Sequence, residues 1–354
     1  MPAPRSALKR ERFKLYLRIL ALSACIGLAY SVALGLDSRA PVISLLFGVF
    51  NSIVIAGSIA GIEIFALREG SSVKRMMQLP FFAVVLLKTL VYGAIITAVV
   101  TGAGRSLLLL FSTADRQLAP LNPNAELVTI GFSLAMTGIF VLLLQAASLV
   151  GRRTFLNLLR GRYRRPRMER RFFLFVDVVG STAIAERLGP LEAHKFLAAV
   201  FSATAEPVAA CRGEIYQYVG DEIVVTWTEA EGKPEARPLR CYFEMQAALA
   251  EAAPEFRRRF QAEPGLRAAL HLGEVIAGEV GEQRRAIVFH GDVMNTASRL
   301  EQATRDAGVR FIASEAAVQA LERQPDLAYR DLGELQLRGR QQPIRAFGVE
   351  LDPG

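Results

Sequence analysis

The chain has 354 residues, enough for about two domains at ~150 residues each, and its 52% hydrophobic content and mean hydropathy of +0.28 exclude an ordinary soluble protein. The net charge of +8 conceals an imbalance: residues 1–171 hold 22 Lys and Arg against 7 Asp and Glu, and residues 172–354 hold 20 against 27. Because the basic residues flank apolar runs and the globular half is acidic, the charge excludes a nucleic-acid-binding reading.

Four segments are long and apolar enough to cross a bilayer: Leu15–Leu36, Val42–Leu67, Leu79–Leu110 and Leu127–Val150. Lys9, Arg10, Arg12 and Lys14 precede the first, Arg68, Lys74 and Arg75 follow the second, and Arg152 and Arg153 follow the fourth, while the other two connections are nearly neutral. Positive charge collects on the cytoplasmic side, so both termini are expected there, in a multi-pass protein of the inner (plasma) membrane with lipid as a partner. With outer loops this short, no separate outer sensor domain is expected. Leu22-Ser23-Ala24-Cys25 resembles a lipoprotein signal, but the apolar run continues past Cys25 to Leu36. Cys25, Cys211 and Cys241 give neither a disulfide framework nor zinc-ligand spacing, which suits a reducing compartment for the C-terminal half. Glu63 and Lys88 are ionisable residues inside expected spans, costly unless paired. A snorkelling Lys88 can reach Glu63, either as a structural pair locking two helices or in a sensory role.

Residues 151–171 hold nine arginines, with Leu156, Leu158 and Leu159 near the start and Pro166 as a breaker. The stretch is read either as a stop-transfer signal lying against anionic headgroups or as a short coupling helix. The expected division is a four-helix transmembrane domain over 1–151, an Arg-rich juxtamembrane linker over 152–171 and a cytosolic domain over 172–354.

The cytosolic pattern is α/β. Phe172–Val178 is an apolar strand broken by Asp177, and Gly180-Ser181-Thr182 turns into a helix whose free N–H groups favour phosphate. Glu214–Thr228 reads as two short strands around Gly220-Asp221. Asp residues set beside Gly at strand ends suit Mg²⁺, which needs carboxylates plus substrate phosphates; a turn or cap role is the plain alternative for each. In 285–302 a β-rich run meets Gly291-Asp292 and a helix in which Asn295 and Arg299, four apart, share a face. Leu332–Arg340 ends a strand in Arg338-Gly339-Arg340, able to meet a terminal phosphate or cap a sheet edge.

Taken in this order, FVDVVGST (175–182), YVGDEIVV (218–225), GLRAALHLGEVIAGEVG (265–281), HGDVMNTASRL (290–300) and LGELQLRGR (332–340) resemble the class III nucleotide cyclase catalytic domain. The resemblance implies a ferredoxin-like α+β fold, active as a homodimer with sites at the interface. It implies two Mg²⁺ or Mn²⁺ held by Asp177, Asp221 and the Val178 carbonyl, a ribose contact from Asn295, an α-phosphate contact from Arg299, and Arg338 for the β- and γ-phosphates. Each site would take its Asp pair from one chain and its Asn/Arg pair from the other. Two positions depart from the family. Gln217 stands where adenine-selective members have Lys and guanine-selective ones Glu, and Val288 stands where an Asp or Thr is usual. The implied reaction is conversion of ATP, with GTP as the alternative substrate, to a 3′,5′-cyclic nucleotide and pyrophosphate. A non-catalytic nucleotide-binding membrane sensor is favoured only by those two positions, and a transporter is disfavoured by the few polar residues in the spans.

Overall fold

A computed structural model describes residues 4–35, 41–66, 79–103, 123–283, 285–337 and 342–352. The chain divides into two units, Met1–Arg152 and Arg153–Gly354.

The first unit is helical among the described residues. Helix α1 spans Pro4–Gly35, α2 Pro41–Gly61 continued by a π-turn over Ile62–Ala66, α3 Phe81–Ala98 continued by a π-turn over Val99–Ala103, and α4 Pro123–Val150. α1 starts before the apolar run because the basic stretch ahead of it is built from good helix formers such as Leu8, Lys9, Arg10 and Glu11. By length and hydropathy, two of the four expected spans qualify among the described residues, Gly48–Phe65 and Phe81–Ala98. α1 and α4 carry the shorter apolar stretches Tyr16–Ala29 and Thr137–Ala147. The third helix is described only to Ala103, so the expected continuation to Leu110 lies outside the described residues. Lys88 Nζ donates to Glu63 Oε1 at 2.7 Å, and the Tyr92 hydroxyl donates to the same oxygen at 2.6 Å. The pair thus meets directly, tying α3 to the π-turn after α2.

The second unit begins with α5 (Arg152–Leu159). Gly161, at φ +62°, closes it: Arg162 N–H reaches the Asn157 carbonyl and Gly161 N–H the Leu158 carbonyl, both at 3.0 Å. This is a Schellman cap, which needs a left-handed residue at that position. The elements that follow are β1 (Arg167–Val179), α6 (Ser181–Leu188), α7 (Pro190–Ala210), β2 (Glu214–Val219), β3 (Glu222–Thr228), α8 (Glu229–Gly232), α9 (Arg237–Phe260) and β4 (Gly265–Val280). After these come β5 (Ala286–His290), α10 (Asp292–Asp306), β6 (Phe311–Ser314), α11 (Glu315–Leu321), β7 (Leu327–Leu335) and β8 (Ile344–Leu351).

The sheet runs β2-β3-β1-β4-β6-β8-β7, with β5 folded back on the far end of β4. β4 and β6 are parallel and the other pairs antiparallel. Alternation along β1 sends Phe172, Leu174 and Val176 to one face, against Phe196 and Val200 of α7 and Leu239 and Tyr242 of α9. Phe173 and Phe175 go to the other face, against Phe289 of β5 and Val293 and Ala297 of α10. Asp177 therefore shares the α10 face. β1 also starts at Arg167, inside the stretch expected to be linker, and Arg171 lies in the domain at 1% exposure instead of against headgroups.

Candidate active site

Asp177 sits near the C-terminal end of β1, 8% exposed. Its in-register neighbours are Glu222 on β3 and Arg267 on β4. Asp221, in the β2–β3 turn after Gly220, lies close enough to Asp177 for its charge to act on it. Ser181, at the start of α6, donates from Oγ to Asp221 Oδ2. Gly180, at φ 70° and ψ 18°, makes the left-handed step that ends β1 and opens α6. The N–H groups of the first helical turn, including Ser181 and Thr182, lack intrahelical acceptors. The N-terminus of α6 therefore stands beside the two carboxylates, joined to them by Ser181.

Burial, then the charge and hydrogen bond of Asp221, raise the pKa of Asp177, against the opposing pull of Arg305 and Arg267. Arg305 Nη2 lies 3.5 Å from Asp177 Oδ2. Burial and surrounding carboxylates push both Glu222 and Glu301 up to about 7. Four carboxyl groups, Asp177, Asp221, Glu222 and Glu301, thus crowd two guanidinium groups, and the raised values show that the site resists carrying all four negative charges without further positive charge. Divalent cations suit this donor set: they neutralise the excess, and Mg²⁺ is held by one or two carboxylates together with substrate phosphates.

α10 has two working faces. Asn295 is exposed and Arg299 half-buried on one, whereas Glu301 and Arg305 turn toward Asp177 on another. Arg299 and Glu301, two residues apart, lie about 200° apart around the helix. Within one chain the structure brings Asp177, Asp221, Gly180 and Ser181 together. It points α10 at them through Glu301 and Arg305, not through Asn295 and Arg299.

Val178, fully buried, follows Asp177 on β1. Gln217 is exposed on β2, just past an irregularity in the β2–β3 register, and Val288 pairs with Gly278 on the β4–β5 hairpin. Their neighbours Tyr216 and Phe289 bring ring centroids within 5.0 Å, so the two segments adjoin. Arg338 lies outside the described residues.

Residues 165–349, more than half of the chain, match the model of the adenylate and guanylate cyclase catalytic domain. The chain belongs to this family. It is 35% identical over 238 residues to adenylate cyclase 2 of Rhizobium meliloti (strain 1021), covering 67% of this chain and 64% of that protein. It is 30% identical over 187 residues to adenylate cyclase 1 of the same organism, covering 50% and 27%. The matched part therefore spans less than two thirds of the length of either relative. The solved structure of a bacterial light-regulated adenylyl cyclase is similar at a TM-score of 0.50 and 18% identity, covering 61% of this chain and 64% of that one, a likeness of fold alone.

Sequence reasoning passed over Glu222, Arg267, Glu301 and Arg305 around this cyclase domain's Asp pair. Glu301 left a readable signal, because it falls on the buried stripe of α10 with Val293, Ala297, Leu300 and Thr304. Arg267 left none, since its place beside Asp177 comes from a strand pairing 90 residues distant in sequence.

Proposed function

We propose that this protein is an adenylate cyclase that converts ATP to 3′,5′-cyclic AMP and pyrophosphate as a homodimer, anchored in a membrane by its four apolar helices. The observation that carries the reading is the convergence of Asp177, Asp221 and Ser181 at the Gly180 turn, in a chain of the cyclase family. The two Rhizobium relatives named as adenylate cyclases favour ATP.

Asp177 and Asp221, with the Val178 carbonyl, would hold two Mg²⁺ or Mn²⁺. When bound, such cations lower the pKa of the ribose 3′-hydroxyl and neutralise the triphosphate. The N–H groups at Gly180, Ser181 and Thr182 meet phosphate oxygens at the α6 N-terminus. The ribose 3′-oxygen bonds to the α-phosphorus, the bond from that phosphorus to pyrophosphate breaks, and the hydroxyl proton passes to solvent. Arg299 meets the charge that develops on the α-phosphate, and Asn295 hydrogen-bonds the ribose so that attack is in line. Arg338 meets the outer phosphates. Gln217 can donate and accept toward the purine, and Val288 contributes only contact. Because α10 turns Asn295 and Arg299 away from the chain's own Asp177, a second chain completes each site, which supports the homodimer.

The coupling reading of α5 has support of its own. Thr154 Oγ1 donates to Glu214 Oε1 at 3.0 Å, and Leu158 packs against the cluster that includes Phe173 and Phe289. Glu214 begins β2, the strand that leads through Gln217 to Asp221. α5 thereby bears on the strand that carries the proposed base contact and leads into the turn of the proposed metal contact.

The test offers ATP and GTP in parallel to purified full-length protein in detergent with Mn²⁺. Cyclic AMP with pyrophosphate is expected, and a preference for GTP changes the substrate alone. No product from either, in a protein that still binds nucleotide, would promote the non-catalytic sensor instead.

A further inference from the structure

Glu301 is an acid on an apolar stripe. It is 5% exposed, and its Oε1 finds no hydrogen-bond partner among the described residues. Leaving a carboxylate oxygen dry and unpaired is costly, so its position calls for a compensating charge. Neither nearby guanidinium group hydrogen-bonds this oxygen: Arg305 reaches to Asp177 with a side chain 64% exposed, and Arg267 keeps a buried Nη1 that has no hydrogen-bond partner among the described residues. Beneath Glu301, the in-register row Glu222–Asp177–Arg267 crosses the sheet on the α10 face. The remaining negative field is therefore concentrated on the side of Asp177 that faces α10.

We infer that Glu301 is a positioning residue for the divalent cations of the active site: held behind Asp177 by α10, its carboxylate strengthens cation binding from outside the ligand shell. The inference rests on the proposed role of Asp177 and Asp221 as cation ligands. Glu301 is not itself a third ligand, because among the described residues no three Asp, Glu, His or Cys side chains come together closely enough to hold one ion. It acts through its charge, as groups behind a ligand shell do.

The test titrates full-length protein in detergent with Mn²⁺ alone, without nucleotide, following the free ion by electron paramagnetic resonance. Glu301→Gln keeps the shape and removes the charge, Glu301→Asp keeps the charge on a shorter arm, and Asp177→Asn reports on the ligand pair. The expected result is Mn²⁺ affinity about tenfold weaker in Glu301→Gln, partly recovered in Glu301→Asp and lost in Asp177→Asn. Without cation, Glu301→Gln should unfold at or above the parental temperature, since it removes an uncompensated buried charge. Parental Mn²⁺ affinity in Glu301→Gln alongside loss in Asp177→Asn would overturn the inference, as would cation-free unfolding of Glu301→Gln below the parent. Parental affinity in Asp177→Asn would instead overturn the cation reading of Asp177, and this inference with it.

Discussion

Arg171 serves two carboxylates from inside the domain: Nη1 donates to Glu169 at 2.9 Å, Nη2 to Glu214 at 3.3 Å, and Nε to Thr226 Oγ1 at 3.1 Å, while its guanidinium lies 4.6 Å from the Phe289 ring centroid. Removing it takes the buried guanidinium from both acids in a place where neither is well hydrated. Arg171→Met should cost about 3 kcal/mol, whereas Arg170→Met, which breaks a half-exposed pair with Glu229, should cost under about 1 kcal/mol. The chain's one tryptophan, Trp227, is buried in the same unit with Nε1 donating to the Cys211 carbonyl at 2.9 Å. Its fluorescence therefore follows unfolding of this unit, and equal losses in the two variants would contradict the assignment. Glu169 adds a pH dependence. Burial alone would raise its pKa, but the hydrogen bond and charge of Arg171, with those of Arg162, more than offset this and hold it below the ordinary 4.5. A carboxylate depressed in the folded state contributes its full stability above the unfolded pKa and loses it as the pH falls through the folded one. The Trp227 melting temperature should drop on acidification below about 4.5, and Glu169→Gln should flatten that drop. Parallel pH curves would contradict the pairing.

Elements translate these residues into placement. The left-handed Gly161 directs the chain from α5 back to the sheet, where the Tyr163 carbonyl accepts from Glu279 N–H at 2.9 Å. Gly161→Ala should destabilise the unit by about 1–2 kcal/mol, the penalty of a left-handed residue with a Cβ, while Gly161→Asn, which tolerates that conformation, should lose less. Equal shifts in Trp227 melting would show that the cap does not set the turn. The strands show what the sequence made legible. Asp177 and Gly220-Asp221 were readable as strand-end turns because polar residues there interrupt apolar runs. The start of β1 was not: Glu169, Arg171, Phe173, Phe175 and Asp177 form one continuous face, but its first half is written in charged residues that pair inside the domain, so it looks like an extension of the basic linker. Glu301 was readable by its place on the buried stripe of α10, but an acid within an amphipathic helix passes for a solvated one until that stripe is traced.

At the scale of the whole molecule, charge sets an apolar basic half against an acidic α/β half between residues 171 and 172, whereas the compact units divide between Arg152 and Arg153. The order of motifs carried the family, yet base choice stayed open, since Gln217 offers both donor and acceptor and Val288 offers neither. The two faces of α10 make the central proposal one about two chains, in which Asp177 of one protomer would work with Arg299 of its partner. The direct measurement is cyclic AMP production by Asp177→Asn and Arg299→Ala proteins, each alone and co-expressed. Each alone should be silent, and the mixture should recover about a quarter of the parental rate, because half of the dimers are mixed and each mixed dimer keeps one intact site. A mixture as silent as its components, beside an active parent, would contradict the shared site.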